Sequence, residues 1–484
     1  MARADLSDRL AAEPLVKTAR EALAGEADEL WIVGGTVRDA LLGRPVRDLD
    51  LTVRGDSQRV ARKLARAVGG PVFPLSEAFG AWRAMDPDRT WTCDVTEMHG
   101  EGIDADLARR DFTVNAIAVP LDGGEPHDPQ GGLQDLESKA LRVIGGPTVE
   151  ESAYADDPLR PLRLARFAAE LDLHPTPDTR HLTQQAAPLV RNAAAERVFQ
   201  ELRRIVSADR VIDGLALSDE LGLTAVVLPE LYALHGVEQS HFHHLDVHDH
   251  TIEVLRCHLA LEHDPEGVFG ELAEPLDRLM SEPFADELTG WQALRFAALL
   301  HDCGKPATRG VRPDGRVTFI GHDKAGAEMI RDLCRRLKTS ERLRELLAGV
   351  TRHHLVLGFL VHERPLSRER IYEYLQRCQP VEVEVTLLTC ADRLATRGKN
   401  AEDAIKKHLD LARELMAEAL EWRADPPEPP LRGGELAEEL GIDPGPELGE
   451  LLARLREARF TGEAETREEA VALARRLREQ NPAR

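Results

Sequence analysis

The chain has 484 residues and a formal net charge of −23. It is too long for one hydrophobic core and too acidic to coat nucleic acid with a continuous basic surface. Its six cysteines are scattered without a Cys-x-x-Cys pair and no apolar run approaches the roughly 20 residues of a membrane span, so three or four domains with free thiols are expected, cytoplasmic and without membrane contact.

The first predicted elements are a helix over 11–24 and a short apolar strand from Leu30 to Val33. Gly34 and Gly35 break the strand, and Thr36 to Leu42 reads as a helix stopped at Gly43. Strand, glycine turn and helix start together make a cradle for a phosphate. Arg38 lies in the first helical turn, where its charge opposes the helix dipole, so phosphate contact explains its place better than helix stability does. The next strand, 48–53, alternates polar and apolar residues, and period two puts Asp48 and Asp50 on one face. Two adjacent carboxylates repel unless a cation sits between them, and Mg²⁺ favours carboxylate oxygen and bridges to substrate phosphates. A third carboxylate, Asp94, stands in the strand-like run 90–96. An edge strand with two solvated aspartates, or an ordinary glycine turn, accounts for either piece alone but not for the ordered combination.

An amphipathic helix over 56–68 follows, then short strands near 71–74 and 81–85. Arg109, Arg110 and Asp111 stand beside an apolar run, Val114 to Val119, that reads as a strand. That polar cluster is expensive unless paired, the alternative being a helix end with two snorkelling arginines. The run Asp128 to Leu136 reads as a structural turn closing the sheet. From about 146 the chain reads as helical. Pro158 suits a first helical position with Asp157 as cap, and Arg160, Arg163 and Arg166 recur every three residues as one ridge. Three arginines on a ridge repel unless anions or a base lie above them. With Arg38, Arg44, Arg47, Arg109 and Arg110 they give the acidic chain a local basic cluster.

The run from Gly34 to Gly43 with Asp48 and Asp50, and the run from Arg109 to Ala116, carry a resemblance. They resemble the class II nucleotidyltransferases, the CCA-adding tRNA nucleotidyltransferases and bacterial poly(A) polymerases. The resemblance implies template-independent addition to tRNA 3′ ends from CTP and ATP. It puts Mg²⁺ on Asp48 and Asp50, with Asp94 positioning or deprotonating the terminal 3′-OH. Gly34, Gly35 and Arg38 would receive phosphates, and Arg110 phosphate or sugar. Asp111 and Asn115 would organise the ribose side. Asp157 and Arg160 would read the base edge, and Arg163 and Arg166 would hold the triphosphate. Two positions depart from the family pattern. Asp156 stands where the family has Glu, and only Val95 to Ala108 separates Asp94 from Arg109. Members shortened in this way are similar to CC-adding enzymes, which leave the terminal A to a separate partner enzyme.

Further along, a helix over 249–260 carries His250, and an acidic, Pro- and Gly-interrupted stretch, 262–290, reads as an insertion. A strongly apolar helix then ends at His301 and Asp302, with His322, His353 and Asp392 beyond it. Imidazoles and carboxylates at helix ends suit divalent metals that activate water. The order resembles the HD phosphohydrolases. It implies His250, His301, Asp302 and Asp392 as ligands of a divalent transition metal such as Ni, Mn or Fe, and His322 and His353 for a second metal or the phosphate. The reaction implied is removal of 2′,3′-cyclic or 2′-phosphates from RNA ends. The extra histidines 241, 243, 244 and 248 read as surface. A Pro-rich linker, 425–430, leads to one or two amphipathic helices that resemble the tRNA-contacting tail of bacterial CCA-adding enzymes.

The expected fold class is α+β: a head of mixed sheet and helices (1–145), then a helical neck (146–235), an HD domain (236–424) and a helical tail (425–484). A poly(A) polymerase is the nearest rival, and a basic RNA-binding C-terminus, absent here, would favour it; the second rival makes the HD region the main activity, a phosphodiesterase or phosphatase acting on RNA ends.

Overall fold

The computed structural model describes residues 3–25, 29–46, 48–76, 80–239, 245–396 and 401–480. Arg47, His241, His243 and His244 lie outside the described residues. The chain forms two compact units, 1–227 and 228–484. The first holds a six-stranded sheet and helices, and the second is almost wholly helical, as the α+β expectation requires.

The sheet comprises β1 Leu30–Val33, β2 Asp48–Val53, β3 Val72–Ser76, β4 Ala81–Met85, β5 Thr92–Glu97 and β6 Ala118–Pro120, in the order β3-β4-β5-β2-β1-β6. Only β2 and β5 run parallel; the other neighbours are antiparallel. Alternation divides the sheet cleanly. Leu49, Leu51, Val53, Ala84, Cys93 and Val95 are buried, and helix Ser57–Val68 packs against β4 and β5. That helix starts where its sequence signals: Asp56 caps it by accepting the Arg59 amide, and Gly69, at φ 71°, ends it. The other face carries Asp48, Asp50 and Asp94.

Two expectations in this unit need correction. The apolar run 114–119 is not one strand: Thr113–Asn115 forms a 3₁₀ turn and only Ala118–Pro120 pairs with β1. The neck helix is Arg160–Leu171, starting later than a cap at Asp157 would give, because Asp157 accepts the Leu159 amide in a turn of its own. The turn at Asp128 is structural, its carboxylate accepting the Gly132 and Leu133 amides at 2.7 and 2.9 Å.

In the second unit, helix Val247–His263 carries His250, helix Gly290–Leu300 leads into His301 and Asp302, helix His322–Leu337 opens on His322, and helix Glu382–Ala395 carries Asp392. The stretch read as an insertion is folded, with helices Glu266–Phe269 and Ala273–Ser281 burying Phe269, Leu276 and Met280. His248, read as surface, is buried and stacks on His235 with centroids 3.6 Å apart. The tail has three helices, Gly433–Leu440, Pro446–Thr461 and Arg467–Gln480, around a small core that includes Leu436, Leu455 and Ala474. Phe460 packs edge-on against Trp422, with Tyr372 completing the cluster. No helix among the described residues is long and apolar enough to cross a membrane.

Candidate active site

In the head, register places the acidic residues. Asp50 is the direct partner of Asp94, and Asp48 of Thr92. Gly34 stands at φ 67° where β1 turns into helix Gly35–Leu41. A Cβ there would come within 2.8 Å of Arg110 Nη1 and 3.2 Å of Asp50 Oδ2, so the close approach of backbone to carboxylate requires glycine. The Gly35 amide donates to Asp50 Oδ2 at 3.2 Å, and Thr36 Oγ1 bridges the strand by donating to the Asp48 carbonyl and accepting the Asp50 amide.

Burial and the neighbouring Asp94 push the Asp50 carboxyl up to about 6, against the opposing pull of Arg110, the Gly35 amide and Arg38. A half-buried carboxylate held against a second one is the donor set a hard divalent cation fits. The three carboxylates share a face but do not close into one knot: among the described residues their oxygens are not all mutually within 4.8 Å. Asp48 accepts from Thr92 Oγ1 at 2.7 Å. Asp94 is gripped by Arg83, Nε to Oδ1 and Nη2 to Oδ2 both at 2.7 Å. Arg83 was missed in the sequence; its only signal is a charged residue at an alternate position of a short strand.

A chain of polar contacts runs from the glycine turn into the neck. Arg38, 7% exposed, donates to Asn115 Oδ1 at 2.6 Å, Asn115 Nδ2 donates to Asp111 Oδ1 at 2.8 Å, and Arg163 Nη2 lies 2.7 Å from Asp111 Oδ2. Burial pushes the Asp111 carboxyl up, but Arg163, the Asn115 amide and Arg160 outweigh it and hold it at about 2. Arg110 donates to Asp106 at 3.0 Å and leans over Gly34.

The expected arginine ridge is not what the structure shows. Each arginine has its own anions or carbonyls. Arg160 donates to the main-chain carbonyls of Ala153 and Arg109, Arg163 pairs with Asp111, and Arg166, 3% exposed, is locked to Glu201 at 2.5 Å and Glu170 at 3.1 Å. Each three-residue step falls about 60° short of a full turn, so Arg166 points about 120° away from Arg160, into the packing against helix Ala195–Ser207. Asp157 is held by a two-pronged contact from Arg197, at 2.6 and 3.2 Å.

The second unit brings six other side chains together. His250, His301 and Asp392 offer ligand atoms all within 4.8 Å of one another, and so do Asp302, His322 and His354. His354 replaces His353, which joins neither triad. Helix Glu341–His353 ends one residue short of His354, and the ring of His353 is instead pushed down to about 4 by burial and by Arg352 and Arg377. The tautomers suit metal: His301, His322 and His354 each donate Nδ1–H to a backbone carbonyl, of Ala298, Phe319 and Thr351, so Nε2 is left to the cluster. The buried Nε2 of His301 faces Asp302 Oδ2 at 3.2 Å without hydrogen-bond geometry. Burial pushes the Asp302 carboxyl up, but His301 and Lys305 outweigh it and hold it well below the carboxylate range. A cavity of about 1410 Å³ opens over both triads, with Arg393, Lys407 and Arg364 in its wall.

Comparison with known proteins agrees with this division. Residues 30–102 and 82–142 match the Poly A polymerase head domain, residues 172–234 the probable RNA and SrmB-binding site of polymerase A, and residues 247–397 the HD domain. Among curated proteins, the chain is 36% identical to an A-adding tRNA nucleotidyltransferase of Deinococcus radiodurans, over 93% of this chain and 96% of the relative. It is 35% identical to a CC-adding tRNA nucleotidyltransferase of Thermus thermophilus, over 91% of this chain and 92% of the relative. Among solved structures, it shares its fold with the Thermotoga maritima CCA-adding enzyme complexed with tRNA (TM-score 0.60, 20% identity, 98% of each chain). A CCA-adding enzyme in complex with CTP aligns at TM-score 0.63 with 20% identity over 99% of each chain.

Proposed function

Since the chain belongs to the family of CCA-adding tRNA nucleotidyltransferases and poly(A) polymerases, we propose that its head adds nucleotides, C first, to tRNA 3′ ends from CTP. The observation that carries this is the pairing of Asp50 with Asp94 on an open sheet face beside a glycine turn that only glycine can make. Asp48 and Asp50 hold Mg²⁺, which supplies the charge neutralisation that in-line attack on an α-phosphate requires. Asp94, steadied by Arg83, orients the terminal hydroxyl. Gly34, Gly35, Arg38 and Arg110 face the phosphates, and the Asn115–Asp111–Arg163 chain sets the ribose side. Asp157 and Arg160 read the base once they exchange their internal partners for it, and Arg166 contributes rigidity to the neck rather than a phosphate contact.

C addition is favoured by the link from β5 to helix Ile103–Leu107, which is only the segment 98–102. The similarity to an A-adding enzyme favours a second reading, AMP transferred from ATP, with release of pyrophosphate, to an end that already carries CC. Sequencing the products of tRNA lacking CCA and of tRNA ending in CC, with CTP alone, ATP alone and both, separates the two. Asp48→Ala should abolish incorporation in every arm while leaving the thermal unfolding profile unchanged; persistent incorporation by Asp48→Ala contradicts the assignment.

The two triads of the second unit support a further activity at the same RNA ends. His250, His301, Asp302, His322, His354 and Asp392 hold divalent transition metal, which supplies an activated water for phosphate removal. Lys407 and Arg393 in the cavity wall are the cations nearest to hand for a phosphate, Arg364 being paired with Glu414.

A further inference from the structure

The active face of the head sheet continues past its carboxylates. Register pairs Asp50 with Asp94, Asp94 with Arg83, and Arg83 with Phe73. Directly paired residues share a face, so these four side chains form a row across β2, β5, β4 and β3. At its outer end Phe73 is 40% exposed, and Leu75, at the register shift between Pro74 and Ser76, is 44% exposed. The strand is exposed on both sides, Val72 half-buried and Pro74 exposed, and it presents its aromatic ring to the side where the chemistry lies. Edge strands are ordinarily blunted with charge, so a solvent-facing Phe and Leu there ask for an apolar partner.

Spacing identifies the partner. Strands lie about 4.8 Å apart, so Phe73 stands roughly 10 Å from Asp94. That is the reach of one nucleoside with its 3′-OH at the carboxylates and its base at the far end. Between the two lies Arg83, held flat by two of its five N–H donors on Asp94 while a third of its side chain remains exposed. A guanidinium pinned in this way offers a flat face rather than a free charge. We propose that Phe73, flanked by Leu75 and continued by the face of Arg83, is a stacking ledge for the 3′-terminal nucleobase of the acceptor RNA. It rests on the nucleotidyl-transfer reading and extends it: the ledge sets where the attacking nucleoside lies, whereas the neck selects the incoming nucleotide. Stacking accepts any base, because every base has a π face. That suits an acceptor whose last base changes after each addition.

The test is a double-mutant cycle on the full chain. Wild type, Phe73→Ala and Phe73→Trp are compared on tRNA with an intact 3′-terminal nucleotide and on the same tRNA with an abasic 3′-terminal nucleotide, with CTP affinity measured in parallel. Phe73→Ala should raise KM for intact RNA by about tenfold, leave CTP affinity unchanged and match wild type on abasic RNA, while Phe73→Trp stays near wild type on both. A KM for intact RNA within twofold of wild type overturns the proposal, as does an equal loss on abasic RNA or a parallel loss of CTP affinity, which mark a structural role. Failure of the underlying reading is distinguishable, because the wild type itself would then incorporate nothing.

Discussion

Asp50 answers to two opposed demands: it lies half-buried against Asp94, and it must be ionised to hold a cation. In the metal-free protein its carboxyl is pushed up to about 6, chiefly by burial. An acid whose folded pKa exceeds its unfolded value favours the fold at low pH, and that contribution is lost as pH rises from about 4 through about 6. Asp50→Asn removes the titrating charge. It should therefore raise the stability of the metal-free head at pH 7.5 by about 2 kcal/mol, allowing for partial exposure, and have no such effect at pH 4. Thermal unfolding at the two pH values in chelator checks this, and a variant no more stable than wild type at pH 7.5 contradicts the burial account. The same carboxylate also accepts the Gly35 amide, so in the metal-free head a protein oxygen occupies a donor expected for phosphate.

Among the elements, the neck shows what spacing in a sequence reveals and what it hides. Period two on β2 and the break at Gly34 and Gly35 are local, and both were legible before any contact was known. The arginines of helix Arg160–Leu171 were legible as residues but not as contacts, because their partners are distant in sequence. Arg166 meets Glu201 and Asp157 meets Arg197, each across the helix packing, and Arg83 meets Asp94 across a strand pairing. His353 and His354 are adjacent, and only the point where the preceding helix ends decides which faces the cluster. The reassignment of Arg166 has a measurable consequence. Burial pulls its guanidinium down to about 10 despite Glu201 and Glu170. Glu201→Leu should destabilise the first unit by about 2 kcal/mol, because it leaves a buried cation with Glu170 as its one remaining carboxylate. If Arg166 served the triphosphate instead, the substitution would mainly change the KM for CTP at unchanged stability. Chemical denaturation and steady-state kinetics on the one variant decide between them.

At the scale of the whole molecule, the carboxylates of the head and the histidine–aspartate triads share one chain and belong to separate compact units. The acidic balance of −23 leaves little general attraction for RNA, so each site depends on its own local cations. His301→Ala opens the first triad and should abolish release of phosphate from RNA ends while CTP incorporation stays within twofold of wild type. Joint loss of both activities would contradict that independence. The tail adds a consequence of another kind. Trp422 is buried beside Tyr372 and Phe460, and Phe460 comes from the second tail helix. The indole thus serves as a built-in optical gauge: whenever the C-terminal segment peels away, Trp422 meets water and its share of the emission of the five tryptophans shifts to the red.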